Sequence, residues 1–128
     1  SSVTCMGTFK DLKAWQRSMD LAEAIYEVTA SFPKEERFAL VDQMRRSAIS
    51  VISNIAEGYG RGTDKDLTHF LYMARGSANE LSAQIELSKR LRYVSDDVFA
   101  KLDAQCIEVS KMLSSLIYRR ENALDSFK

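Results

Sequence analysis

The chain is poor in the residues that break helices and in those that bind metals. One proline and five glycines in 128 residues leave few sites for the tight turns of a many-stranded fold. No segment sustains the two-residue polar–apolar alternation of a half-buried strand either. His69 is the single histidine, which excludes a Cys₂His₂ zinc site. Asp66 and His69 have the i,i+3 spacing of a di-metal carboxylate bundle, but that site needs a second such pair and two further carboxylates. The two cysteines, Cys5 and Cys106, form no CxxC pair, so the chain is not a disulfide scaffold and suits a reducing compartment. No apolar run approaches the roughly 20 residues of a membrane span. No serine or cysteine has an evident paired base. An enzyme is therefore not expected, nor a cofactor, a metal or a small-molecule substrate. Lys+Arg and Asp+Glu both number 18, so a nucleic-acid surface would have to be a local patch rather than an overall basic excess.

What is present is helical periodicity, in one domain spanning residues 1–128. The opening SSVTCMG has neither the basic nor the apolar region of a signal peptide, and a cytoplasmic protein is expected. Residues 1–7 are expected to be disordered or foreign to the native chain. Thr8 and Asp11 form a capping box, followed by Leu12, Trp15, Met19, Ala22, Tyr26 and Thr29 at three- and four-residue steps. This first helix should end near Ser31–Pro33, because the residue before a proline is driven from the helical region. A second helix is expected from Glu35 or Glu36, carrying Val41, Met44, Ala48, Val51, Ile55 and Tyr59, with Gly58 and Gly60 ending it. Thr63 and Asp66 open a third through Leu67, Phe70, Ala74, Ser77, Leu81 and Ile85. It closes on Lys89–Arg92, where cations complement the helix dipole. Ser95 caps a fourth with Val98, Leu102, Cys106, Val109, Leu113 and Leu116; residues 121–128 are expected to fray. Short connections make neighbours antiparallel, so the fold class is all-α, an up-down-up-down four-helix bundle.

The glycines of NIAEGYGRGT follow a helix rather than a strand and lack the spacing of a dinucleotide or P-loop fingerprint. They read as a corner between helices, not a phosphate cradle. From Ser47 to Ala56 there is no charge, although a surface helix normally keeps a charged face. Ile49, Ser50, Ile52 and Ser53 are therefore candidates for an interface with another copy of the chain. Gly76, in ARGSANE, suggests a close helix approach in the middle of the third helix. Polar residues fall in register on the two helices: Asn54 and Glu57 on the second, Ser77, Glu80 and Gln84 on the third. Hydrogen-bonded stripes of this kind set the register of packed helices. For nucleic acid the candidates are Arg45, Arg46, Arg61, Lys89, Arg90 and Arg92.

The stretches FKDLKAWQRSMDLAEAIYEVTASFPKEERFAL and QMRRSAISVISNIAEGYGRGTDKDLTHFLYMARGSANELSAQIELSKRL, with the signatures RR-A-S---NIAEG-GR and GS--EL--Q, resemble proteins encoded by intervening sequences within bacterial 23S rRNA genes. The resemblance covers about Phe9–Tyr93; the fourth helix matches only in pattern, and Ala39 stands where many members have glycine. It implies an all-α bundle that closes into a homo-oligomer, a pentameric ring, and association with ribosomal RNA or ribosomes. It also implies a distant similarity to the accessory proteins of diversity-generating retroelements, which are basic pentameric barrels that bind nucleic acid. The alternative is an oligomeric scaffold that contacts another protein and no nucleic acid.

Overall fold

Four helices carry the chain: α1 (Lys13–Thr29), α2 (Leu40–Tyr59), α3 (Asp64–Arg90) and α4 (Asp96–Asp125), with short 3₁₀ turns at Phe9–Asp11 and Lys34–Glu36. The computed structural model describes residues 8–125, with side chains to Asn122. Cys5 and the expectation for residues 1–7 lie outside the described residues, as do residues 126–128. No strand occurs among the described residues. Each helix packs on its two neighbours around the ring α1–α2–α3–α4, and the backbones of the diagonal pairs stay apart among the described residues. This is an antiparallel four-helix bundle.

The caps explain where the helices begin, and they move two expected boundaries. Thr8 and Asp11 do form a capping box, but it opens the 3₁₀ turn rather than α1; Leu12 then returns to extended backbone and α1 starts at Lys13. Its last residue is Thr29, a turn earlier than Pro33 alone suggests. Glu35 and Glu36 sit in the second 3₁₀ turn rather than in α2. Glu36 instead reaches forward, its Oε1 accepting the Leu40 N–H at 3.4 Å, where an acid suits the helix dipole. Thr63 Oγ1 accepts the Asp66 N–H at 3.1 Å to open α3, and Ser95 Oγ accepts the Val98 N–H at 3.2 Å to open α4.

The end of α3 is held by two reverse bonds, Arg92 N–H to the Lys89 carbonyl and Tyr93 N–H to the Ser88 carbonyl, both 2.9 Å. This is a Schellman closure, and it sets Arg92 at φ 64°, a conformation usually given to glycine. Tyr93 then packs its ring 5.2 Å from Phe32. At the other end of the chain α4 runs on to Asp125.

The core is a continuous apolar seam. Leu21, Ile25, Met44, Ile55, Leu71, Leu81, Ile85 and Leu113 are fully buried, each contributing roughly 1.5–3 kcal/mol of transfer free energy. In α1 the buried face is rotated from the one expected. Ala14, Ser18, Leu21, Ala22, Ile25 and Thr29 face inward, while Tyr26 is exposed and Trp15 and Met19 are half-buried. The α1 hydroxyls can be buried because each donates to the carbonyl one turn back, Ser18 to Ala14 and Thr29 to Ile25, both at 2.6 Å.

Two glycines behave differently from the reading above. Gly58 lies inside α2 and does not end it. A Cβ there would meet Phe70 Cβ at 2.9 Å and Leu67 Cδ1 at 3.1 Å, so its role is close approach of α2 to α3. Gly76 has nothing within 4 Å of its Cβ position and faces outward. The close contact in mid-α3 is made by Ala74 and Ala78 instead, both fully buried. Across it the Cys106 thiol of α4 donates to the Ala78 carbonyl at 3.3 Å.

Candidate nucleic-acid interface

The six cations singled out from the sequence do not form one patch. Arg61 lies at the α2–α3 corner, whereas Lys89, Arg90 and Arg92 lie at the far end of the 27-residue α3, about 40 Å away at 1.5 Å per residue. Arg45 is engaged in packing. Its Nε–H donates to Thr29 Oγ1 at 3.0 Å, its Nη2 to the Tyr26 carbonyl at 3.2 Å, and its guanidinium sits 4.5 Å from the Tyr26 ring centre. Arg45 ties α1 to α2 and leaves the candidate set, because two of its five N–H donors and one face of its guanidinium are committed to α1.

Three others form exposed ion pairs one turn apart: Arg46 with Asp42 at 3.0 Å, Arg61 with Glu57 at 2.9 Å, and Arg90 with Glu86 at 3.4 Å. Arg61 also covers the Phe70 ring at 4.9 Å, and Lys89 sits 4.3 Å above Phe99. Such pairs are worth roughly 0–1 kcal/mol, so a phosphate can compete for the cation. Arg92 is exposed and has no acidic partner within ion-pair distance among the described residues. The hollow at this end mixes signs, with Lys89, Arg90 and Arg92 against Glu86 and Asp96.

The polar stripe divides in the same way. Ser50 and Ser77 meet across the α2–α3 seam at 2.8 Å, and Asn54 Nδ2 donates to Ser50 Oγ at 3.0 Å and to the Ser50 carbonyl at 2.8 Å. Ser50 therefore belongs to the seam rather than to an outer contact. Gln84 is half-buried, with an Oε1 that has no hydrogen-bond partner. Glu57 and Glu80 are exposed, which corrects the interior role expected for them. Their charges remain in water, where they need no protein partner. On the outward side of the two helices Ile49, Met73 and Leu87 are each more than two-fifths exposed, Ser53 is exposed, and Ile52 is half-buried.

A basic cluster that the sequence reading missed lies where the start of α1 meets the end of α4. Lys13, Lys111 and Arg119 rim a groove of about 360 Å³ whose lining includes Leu12, Met112 and Leu116 and no acidic residue. None of these three cations has an acidic partner within ion-pair distance among the described residues. The nearby acids are taken: Glu108 pairs with Arg17 and Asp64 with Arg120, both at 3.7 Å. The four-residue step Lys111–Ser115–Arg119 was visible along the chain. Only folding brings Lys13 beside it.

The remaining reactive groups are quiet. Burial, with the Asp103 charge second, pushes the Cys106 thiol up to about 11. It stays protonated at neutral pH and is a poor nucleophile. His69 is exposed, with its ring 5.4 Å from Phe70. No helix among the described residues is long and apolar enough to cross a membrane.

Comparison with known proteins agrees with this architecture. No curated protein matches the chain. The crystal structure of a protein of unknown function from the S23 ribosomal protein family of Bacteroides thetaiotaomicron VPI-5482 superposes with a TM-score of 0.74. It shares 25% sequence identity over 81% of this chain and 97% of that one. The 23S rRNA-intervening sequence protein family matches residues 10–115, which includes all of α1, α2 and α3 and most of α4. With the bundle, the corner and the seam residues in place, the chain belongs to the 23S rRNA-intervening sequence protein family.

Proposed function

We propose that the protein is a non-catalytic bundle that assembles with copies of itself and associates with RNA, ribosomal RNA above all. Family membership carries the RNA reading. The absence of charge from Ser47 to Ala56, together with the exposed Ile49, Met73 and Leu87, supports self-assembly through the outward side of α2 and α3. Most oligomers of identical chains close symmetrically, and a ring of five is the assembly expected here. Closure matters for a chain with 18 basic and 18 acidic residues. Each modest basic cluster recurs around the axis, and the phosphate contacts of the copies add. Such contacts release counterions, so affinity falls steeply as salt rises.

The test is retention of 23S rRNA fragments by the intact oligomer across a salt series. Binding is expected at about 0.05 M salt, with loss by about 0.3 M and little dependence on sequence. If the oligomer retains no RNA even at low salt, a scaffold that contacts another protein takes its place. The pairing of Arg46, Arg61 and Arg90 with acids four residues earlier in the chain favours that second reading.

A further inference from the structure

Three hollows meet around Arg119. The first is the acid-free groove between Lys13 and Lys111. The second, of about 340 Å³, shares Leu12, Leu116 and Arg119 with it and reaches Tyr59 and Arg120. The third shares Ser115 and Arg119 and opens toward Tyr118. Through these shared residues they lie side by side, as a track, around the end of the bundle where α1 begins and α4 runs out. Tyr118 is 68% exposed beside this track. At the inner end the Tyr59 hydroxyl is shielded from solvent and has no hydrogen-bond partner among the described residues.

We propose, resting on the RNA reading above, that this track is the RNA-binding site and that it takes a single strand. The chemistry selects this occupant. Unpaired cations on the rim suit a phosphate backbone. An apolar floor and an exposed aromatic ring suit unstacked bases, which a duplex does not offer. Lys13, Lys111 and Arg119 hold phosphates, and Tyr118 stacks on a base. The clusters at Arg61 and at Lys89–Arg92 contribute general attraction and no stacking.

Fluorescence anisotropy of the wild-type oligomer with a labelled single-stranded RNA of about 12 nucleotides tests this, with a duplex of the same length and polyglutamate as competitors. Light scattering and circular dichroism verify that each variant keeps its mass and helicity. Arg119→Glu is expected to weaken single-strand binding tenfold or more, and Tyr118→Ala by about tenfold, while Tyr118→Phe keeps the affinity. Lys111→Glu should weaken it and flatten the salt dependence by about one phosphate contact. Arg90→Glu should have less than about a threefold effect, as expected for an exposed paired cation. Wild-type binding that survives Arg119→Glu and Tyr118→Ala but falls with Arg90→Glu would overturn the track while leaving RNA association intact. Equal affinity for single strand and duplex would overturn it too, as would displacement by polyglutamate as readily as by RNA. No binding of any RNA by the wild type would end both readings at once.

Discussion

Gly58 and Gly76 are both helix-interior glycines, and their surroundings give them opposite roles. A methyl group at Gly58 would press on the Cβ of Phe70, which cannot swing away as the tip of a long side chain could. Gly58→Ala is expected to cost about 1–3 kcal/mol through overpacking. At Gly76 the methyl group meets only open space. Gly76→Ala should raise stability by up to about 1 kcal/mol through helix propensity alone. Urea unfolding of the two variants reads both signs, and a Gly58→Ala protein as stable as the wild type would show that α2 and α3 do not approach as described.

At the scale of the helices, two joints decide stability. Arg45 bridges α1 and α2 with two hydrogen bonds and a stacked ring. Arg45→Ala is expected to lose about 1–3 kcal/mol, whereas Glu57→Ala, which breaks only an exposed pair, loses less than about 0.5 kcal/mol. Thermal unfolding of the two variants side by side checks the ranking. The second joint is Tyr93, whose hydroxyl donates to Glu36 Oε2 at 2.7 Å and so links the end of α3 to the turn before α2. That hydrogen bond raises the Tyr93 pKa above 10.0, with desolvation and the Glu36 charge adding to it. A folded-state pKa raised in this way stabilises the protein fully below pH 10 and ceases to do so as pH climbs through the raised value. Wild type should therefore unfold at higher urea than Tyr93→Phe at pH 8, with the gap closing above about pH 10. A gap that persists at high alkalinity would mean the hydrogen bond is not its source.

At the scale of the whole molecule, the bundle presents two unlike surfaces. One is the outward side of α2 and α3, with exposed Ile49, Met73 and Leu87; the other is the basic track where α1 and α4 meet. The first is the contact proposed for another copy of the chain, and the second is the track proposed for an anionic strand. Light scattering is expected to give a mass several times the 14.5 kDa of one chain. Ile49→Glu should lower that mass toward one chain, because a buried unpaired carboxylate costs several kcal/mol at an interface, while helical circular dichroism stays. A wild-type monomer at every concentration would remove self-assembly. A variant that keeps its full mass would move the contact away from Ile49.

Much of this architecture is legible in the order of residues, because helix formation and capping are local. Three- and four-residue apolar steps locate the four helices. Thr63 and Ser95 start two of them, and the neighbours pack as short connections require. Properties that depend on which faces meet are not legible in the same way. The α1 stripe through Trp15 and Tyr26 looks as apolar as the true seam through Ala14, Ser18 and Ile25, and only packing against α2 and α4 chose between them. Arg45 and Arg46 are adjacent in sequence. One helical step of about 100° sends Arg45 into the α1 joint and leaves Arg46 in solvent beside Asp42. Lys13 and Arg119 are more than a hundred residues apart, so no spacing rule could pair them, and antiparallel closure of α1 against α4 brings them to one groove. Sequence determined the helices because backbone hydrogen bonds and caps act within a few residues. Tertiary structure decided the site because like charges gather, and acids are drawn away, only when distant helices share a surface.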